Sequence, residues 1–320
     1  MSRISCTHYS SLKEANMRLR EDTHTTEDLP SERIAKTIAR AGLCSRRDAE
    51  KLIAEGRVTL NGERITSPAL NVTPEDRIEV DGKPLSTPEP VRLWRYYKPK
   101  GRVTTHRDPE GRPTVFEALP PDMPRVISIG RLDLNTEGLL LLTTDGALAR
   151  HLESPATGWV RRYRVRVHGK VDQAALDALG AGLTLDGIHY APIEAKLDRT
   201  QGVNAWLTVA LREGKNREIR KIMEHLGLAV NRLIRLSFGP FMLGDLEPGA
   251  LAEVKGRVLA DQLGDEMALR LGLKEKRQMR GGQAESGRTA AKSSAETPRG
   301  QRRSSGGPAR GKPERRRRPK

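Results

Sequence analysis

An α+β fold is expected of this chain. Its helix and strand content shows in three features of the sequence, whereas the order of its strands does not. Residues 34–54 place apolar side chains at helical spacing, and residues 57–85 alternate polar and apolar residues around two hairpin signals. Ten of the eleven aromatic residues lie between Trp94 and Phe241. Aromatics supply much of the area of a large core, so the main core belongs to that stretch. Within it, the alternating RRYRVRV at 161–167 contrasts with a helical stripe of Ile219, Ile222, Met223 and Leu226. A length of 320 residues fits about two domains. The expected organisation is a flexible segment over 1–30, a small unit over 31–86, a larger unit over 92–262 and a disordered tail over 270–320. The segment STPEPV, with Pro88 and Pro90, is the linker between the two units.

In the small unit, Ile34, Ala35, Ile38, Ala39 and Leu43 form the first helical stripe, and Gly42 suits its end. Ser45, with Asp48 three residues on, approximates a capping box for a second helix. That helix turns Ala49, Leu52 and Ile53 inward and stops at Gly56. Asn61-Gly62 and Asp81-Gly82 each sit between alternating runs, the strongest short hairpin signal. Arg40, Arg46, Arg47, Lys51 and Arg57 gather near the helix junction. A basic face without aromatics binds RNA through phosphates and shape rather than by reading bases.

In the larger unit, VISIG and LLLLTTD read as buried strands bracketing the polar loop RLDLNTEG, and Asp145 can cap a helix that begins at Gly146. Asp133 sits in that loop between Leu132 and Leu134. Taken alone it reads as a turn former. In RRYRVRV the period of two puts Arg162, Arg164 and Arg166 on one face and turns Tyr163 inward with Val165 and Val167. KNREIRKIMEHL, 215–226, is expected to be helical, with Arg220 at the rim of its apolar stripe. Taken alone, Arg220 is a helix-edge arginine with a buried stem.

The chain carries 57 Lys and Arg against 41 Asp and Glu, a net charge of +16. No stretch approaches the roughly 18–20 apolar residues of a membrane-spanning helix, so no membrane partner is expected. The first residues are polar and lack the apolar core of a secretory signal. Cys6 and Cys44 cannot form a disulfide framework or a metal knuckle, and no metal site is expected. A reducing, cytoplasmic setting follows as the expectation. Residues 281–320 hold nine of the sixteen net positive charges and no aromatic residue. Such a tail cannot bury enough apolar surface to offset its chain entropy, and it attracts polyanions.

Two resemblances sharpen these readings. AGLCSRRDAEKLIAEGRVTLNG resembles the small RNA-binding module named after small-subunit ribosomal protein four, over nearly all of residues 31–80. GRLDLNTEGLLLLTTDG closely resembles the signature of the RsuA/RluB family of ribosomal RNA pseudouridine synthases. YYKPKGRVTT, RRYRVRV, REGKNREIRKIM and NRLIRLSFGPFMLGDLEPG match its other segments in the expected order. The likeness runs over roughly residues 31 to 260. The wording NTEGLLLLTTDGALA, with Asn135, is closer to the branch that acts on the large-subunit RNA.

The family resemblance implies a mixed, mostly antiparallel sheet with flanking helices and a central cleft holding Asp133. It implies that Asp133 is the nucleophile, or the group that initiates glycosidic cleavage. It pairs Arg220 with Asp133, sets Tyr163 against the target uracil with its hydroxyl near the carbon that loses a proton, and makes Leu233 apolar packing against the base. Arg161 stands where family members often have Lys. The reaction breaks the bond between uracil nitrogen and ribose and rejoins the base through carbon, so it needs neither redox step nor group donor, and no cofactor is expected. The uracil must be flipped out of its RNA, at a cost of a few kcal/mol that phosphate contacts offset. Arg131, Lys215, Arg217, Lys98 and the arginine stripe are candidates for those contacts. The expected partner is ribosomal RNA or a pre-ribosomal particle, and the expected state is a monomer. A small-subunit target is the runner-up. A non-catalytic RNA-binding or assembly factor would have no need of Asp133, Tyr163 and Arg220 together, and a glycoside hydrolase would need a tuned pair of carboxylates.

Overall fold

The structure, a computed structural model, describes residues 31–274. The flexibility expected of residues 1–30 and the tail beyond residue 274 lie outside the described residues.

The small unit holds two helices, α1 (Ile34–Arg40) and α2 (Arg46–Ala54), and six short strands. β1 (Glu32–Arg33) pairs with β4 (Asn71–Val72). β2 (Val58–Leu60), β3 (Glu63–Ile65), β5 (Ile78–Val80) and β6 (Lys83–Pro84) form a sheet in the order β3-β2-β5-β6. Ser45 caps α2 by accepting the Asp48 N–H at 3.1 Å. Asn61 and Asp81 adopt φ of 52° ahead of Gly62 and Gly82, the left-handed geometry that two-residue hairpins require. Ile34, Ile38, Ala49, Ile53, Val58 and Val72 close a separate small core.

The larger unit is built on one nine-stranded sheet. Its strands are β7 (Leu93–Lys98), β8 (Ile127–Ile129), β9 (Glu137–Thr143), β10 (Arg161–His168), β13 (Glu194–Gln201), β14 (Asn204–Leu211), β15 (Ala229–Phe238), β16 (Phe241–Met242) and β17 (Leu251–Val254). The short hairpin β11 (Leu183–Leu185) and β12 (Ile188–Tyr190) stands apart. The main order is β13-β14-β10-β15-β9-β7-β17, with β16 beside β15 and β8 beside β9. All pairings in this sheet are antiparallel except β15 with β9, so the sheet is mixed and mostly antiparallel, as the family resemblance implied.

Helices pack on one face of the sheet and on the β15, β9 and β7 part of the other. Val165, Val167, Leu207 and Val209 pack with Leu176 of α4 (Gln173–Ala178) and with Ile219, Ile222 and Met223 of α5 (Glu218–His225). Leu139, Leu141, Ile234 and Phe238 pack with Leu148 and Leu152 of α3 (Gly146–Glu153) and Leu259 of α6 (Gly256–Leu263). Asp145 caps α3 by accepting the N–H groups of Ala147 and Leu148, both at 2.8 Å. The larger unit runs past the expected limit at 262. Residues Asp265–Arg270 form α7, and Leu271 buries against the second core, so residues 270–274 belong to the packed chain rather than to the tail. Apolar spacing in this segment is too short to stand out in sequence.

Candidate active site

Asp133 lies in the loop between β8 and β9, and the main chain of that loop is tied down from four sides. Thr104 Oγ1 donates to the Leu132 carbonyl at 3.0 Å and accepts the Leu132 N–H at 3.3 Å. The Gly101 N–H donates to the Leu134 carbonyl at 2.9 Å. Lys98 Nζ donates to the carbonyls of Thr136, Pro99 and Leu134 at 2.9, 3.1 and 3.4 Å. Arg220 Nη2 donates to the Asn135 carbonyl at 3.0 Å, while its Nη1 reaches the Val230 carbonyl at 3.2 Å. The turn itself closes through the Thr136 N–H on the Asp133 carbonyl at 3.0 Å. The half-buried Asp133 side chain is thus presented from a fixed backbone.

Across from it stand Tyr163 on β10 and Leu233 on β15, 8% and 5% exposed. Register explains their company: Val165 is opposite Leu233, and Tyr163 opposite Arg235, so these side chains share one face of the sheet. Asp133, Tyr163 and Leu233 line a single cleft of about 1310 Å³, together with Arg131, Lys215 and Arg217. Arg131, Lys215 and Arg217 are exposed along it. An anionic loop residue, an aromatic ring, an apolar wall and a cationic rim can hold an extruded pyrimidine by its faces while neighbouring phosphates rest outside.

Several expectations need correction. Arg220 forms no ion pair with Asp133; its guanidinium fastens the loop that carries the aspartate, and it does not line the cleft. Burial and Arg217 lower its proton affinity, while the Asp133 charge raises it. The helix begins at Glu218, not at Lys215, because Arg217 takes a left-handed φ of 52° and ends the preceding loop. Lys98 is wholly buried and cannot touch a phosphate. Burial pulls its ammonium down to about 8, against the charges of Asp133 and Glu137. Arg162, Arg164 and Arg166 alternate with Tyr163 and so project from the opposite face of the sheet, away from the cleft. In the small unit Arg46, Arg47 and Lys51 are exposed, whereas Arg57 is taken up by Asp81 at 2.7 Å and Glu55 at 3.2 Å. Arg40 lies 3.6 Å from Asp145, the cap of α3.

Three buried polar residues of the cleft escaped the sequence reading, Thr136, Arg235 and Glu218, and Arg161, noted there only where relatives often have Lys, is a fourth. Glu218 accepts the Lys215 N–H at 2.8 Å and so closes the basic loop 212–217 onto the first turn of α5. Burial pushes its carboxyl up to about 7, with nearby Glu213 adding to the effect. Against the penalty of its own partial burial, hydrogen bonds from Lys215 and the Ala191 N–H hold Glu213 below the usual carboxylate range. An acid inside a basic, apolar-striped segment is a weak signal, visible in NREIR only as a polar residue beside Ile219.

Comparison with known proteins agrees with this geometry. Residues 32–78 match the S4 domain family, and residues 92–225 match the family described as RNA pseudouridylate synthase. A Rickettsia felis protein named as an uncharacterized RNA pseudouridine synthase is 52% identical over 228 residues, which cover 71% of this chain and 99% of that protein. The Salmonella typhi protein named ribosomal large subunit pseudouridine synthase B is 44% identical over 219 residues, 67% of this chain and 75% of that one. A crystal structure of a pseudouridylate synthase superposes with a TM-score of 0.52 at 28% identity, covering 72% of this chain and 99% of the other. With its S4 domain, its mixed sheet and the cleft built around the GRLDLNTEG loop, the chain belongs to the RNA pseudouridine synthase family and is an RNA-modifying isomerase.

Proposed function

We propose that the substrate is a uridine of large-subunit ribosomal RNA and that Asp133 initiates the reaction. The N1–C1′ bond of the extruded uridine breaks, the uracil turns, C5 bonds to C1′, the C5 proton leaves to restore the base, and N1 takes up one proton. Atoms balance without an added group, so no small-molecule cofactor is called for. Tyr163 packs its ring on the base with its hydroxyl near C5, and Leu233 covers the remaining apolar surface. Arg131, Lys215 and Arg217 take neighbouring phosphates and offset the cost of base extrusion. Arg46, Arg47 and Lys51 of the small unit hold structured RNA by its backbone. The protein works as a monomer in the cytoplasm, on ribosomal RNA or pre-ribosomal particles.

The observation that carries this reading is that Asp133, Tyr163 and Leu233 line one cleft with a cationic rim. The likeness to a relative named for the large ribosomal subunit supports the choice of RNA. The test is to map pseudouridine across ribosomal RNA from cells with the wild-type gene, without it, and with Asp133→Asn. One large-subunit site should vanish in the last two, while the variant still binds RNA. Loss of a small-subunit site instead would move the substrate, and full modification by Asp133→Asn would remove Asp133 from its role.

A further inference from the structure

The face of the sheet opposite Tyr163 carries a pattern that the reaction does not use. Register places Arg232, Arg166, Trp206 and Arg199 in one row across β15, β10, β14 and β13. At about 4.8 Å per strand the row spans roughly 14 Å. The adjoining row contains Arg164, Thr208 and Lys196. Arg164 stacks its guanidinium 4.7 Å from the centroid of the half-buried Trp206 ring. Arg162, Arg164, Arg166, Lys196 and Arg199 form no ion pair among the described residues. The acids on this face are few. Glu137 is held by Arg232 at 2.9 Å, Asp198 accepts the Thr208 hydroxyl at 2.9 Å, and Glu194 lies in the row of Arg162.

We infer that this open face of β13, β14, β10 and β15 is a second RNA-binding surface, for a single-stranded segment of the RNA that the cleft modifies. The inference rests on RNA being the substrate. Charge complementarity selects a polyanion. It also argues against the chain's own basic tail or a second copy, both of the same sign. A partly exposed tryptophan stacked by a guanidinium is a platform for bases, and every base offers a face to it. A face that only kept the protein soluble would intersperse both signs of charge.

The test uses the full-length protein and a fluorescein-labelled oligouridylate of about 20 nucleotides, with anisotropy read from 50 to 300 mM KCl. Arg164→Gln/Arg166→Gln/Arg199→Gln should lower the slope of log K against log salt by about 2, and weaken binding at 100 mM salt roughly tenfold or more. The milder Lys196→Gln/Arg199→Gln, confined to the edge strand, should lower the slope by about 1 and keeps the test open if the triple variant fails to fold. Trp206→Phe should reduce the RNA-induced fluorescence change, and Trp159→Phe, away from this face, should leave it in place, since Trp94 is buried. Unchanged slopes in variants that melt like the wild type would overturn the proposal and leave the face to an acidic protein. Loss on a duplex RNA of equal length, but not on oligouridylate, would overturn the single-strand assignment. These readouts do not depend on which uridine is modified, so their failure is distinct from failure of the proposed target.

Discussion

Lys98 Nζ donates to the carbonyl of Thr136 at 2.9 Å from a wholly buried position on β7. The same ammonium reaches the carbonyls of Pro99 and Leu134, so one buried cation organises both ends of the turn after Asp133. Three backbone acceptors and the charges of Asp133 and Glu137 offset part of its desolvation.

Lys98→Met keeps the aliphatic stem and strips these carbonyls of their donor. Unfolding should become easier by about 1–3 kcal/mol at neutral pH, and turnover should fall about tenfold or more as the Asp133 loop loosens. The pH dependence has a definite sign. Lys98 titrates at about 8 when folded and near 10.5 when unfolded, so the unfolded chain binds more protons between those values. Wild-type stability relative to Lys98→Met should therefore rise from pH 8 to 10.5 in urea titrations. A difference that stays flat over this window would show that Lys98 is not depressed.

Arg220 joins the Asn135 and Val230 carbonyls with its two Nη atoms and thereby links the Asp133 loop to β15. Lysine preserves the charge but not the fork. Arg220→Lys should bind RNA as the wild type does and turn over about tenfold more slowly, measured on ribosomal RNA transcripts. Full turnover in that variant would mean that a positive charge near Asp133 is enough and the clamp is dispensable.

These two residues mark the limit of what the sequence made legible. Asn61-Gly62, Asp81-Gly82, Ser45 and Asp145 obey local rules, and the structure uses each as read. Tyr163 was readable as inward because a strand alternates its faces every residue, whereas Leu233 came through the family resemblance alone. The acceptors of Lys98 and Arg220 in the Asp133 loop were not readable, because those carbonyls lie 36 to 38 residues from Lys98 and 85 from Arg220. Periodicity says which way a side chain faces and is silent about what it meets. The same holds for the parallel pairing of β9 with β15, which only the folded chain reveals.

That pairing depends on Gly138. Its φ is +100°, and a Cβ there would stand 2.4 Å from the Arg235 carbonyl oxygen and 2.7 Å from the Arg235 nitrogen, both backbone atoms that cannot step aside. Gly138→Ala should cost about 3 kcal/mol or more, seen as a large fall in the denaturation midpoint or as insoluble protein. It should also lower activity in whatever fraction folds, because β9 follows the loop that carries Asp133 and β15 carries Leu233, both of which line the cleft. A variant that melts within a degree or two of the wild type would refute the close approach.

Glu218 offers a test in the opposite pH direction from Lys98. Burial raises its carboxyl to about 7, from about 4.5 in the unfolded chain, so the folded state binds more protons between those values. Its contribution to stability is fully present below pH 4.5 and is lost as the pH rises through 7. Glu218→Gln keeps a carbonyl oxygen for the Lys215 N–H and carries no charge to bury. The variant should therefore be more stable than the wild type at pH 8, by on the order of 1 kcal/mol, and the advantage should shrink toward pH 5. Denaturant titrations at four pH values would measure it. An advantage independent of pH would place the effect in packing rather than in the proton, and a less stable variant at pH 8 would mean that the loop 212–217 needs a charged brace between Lys215 and α5.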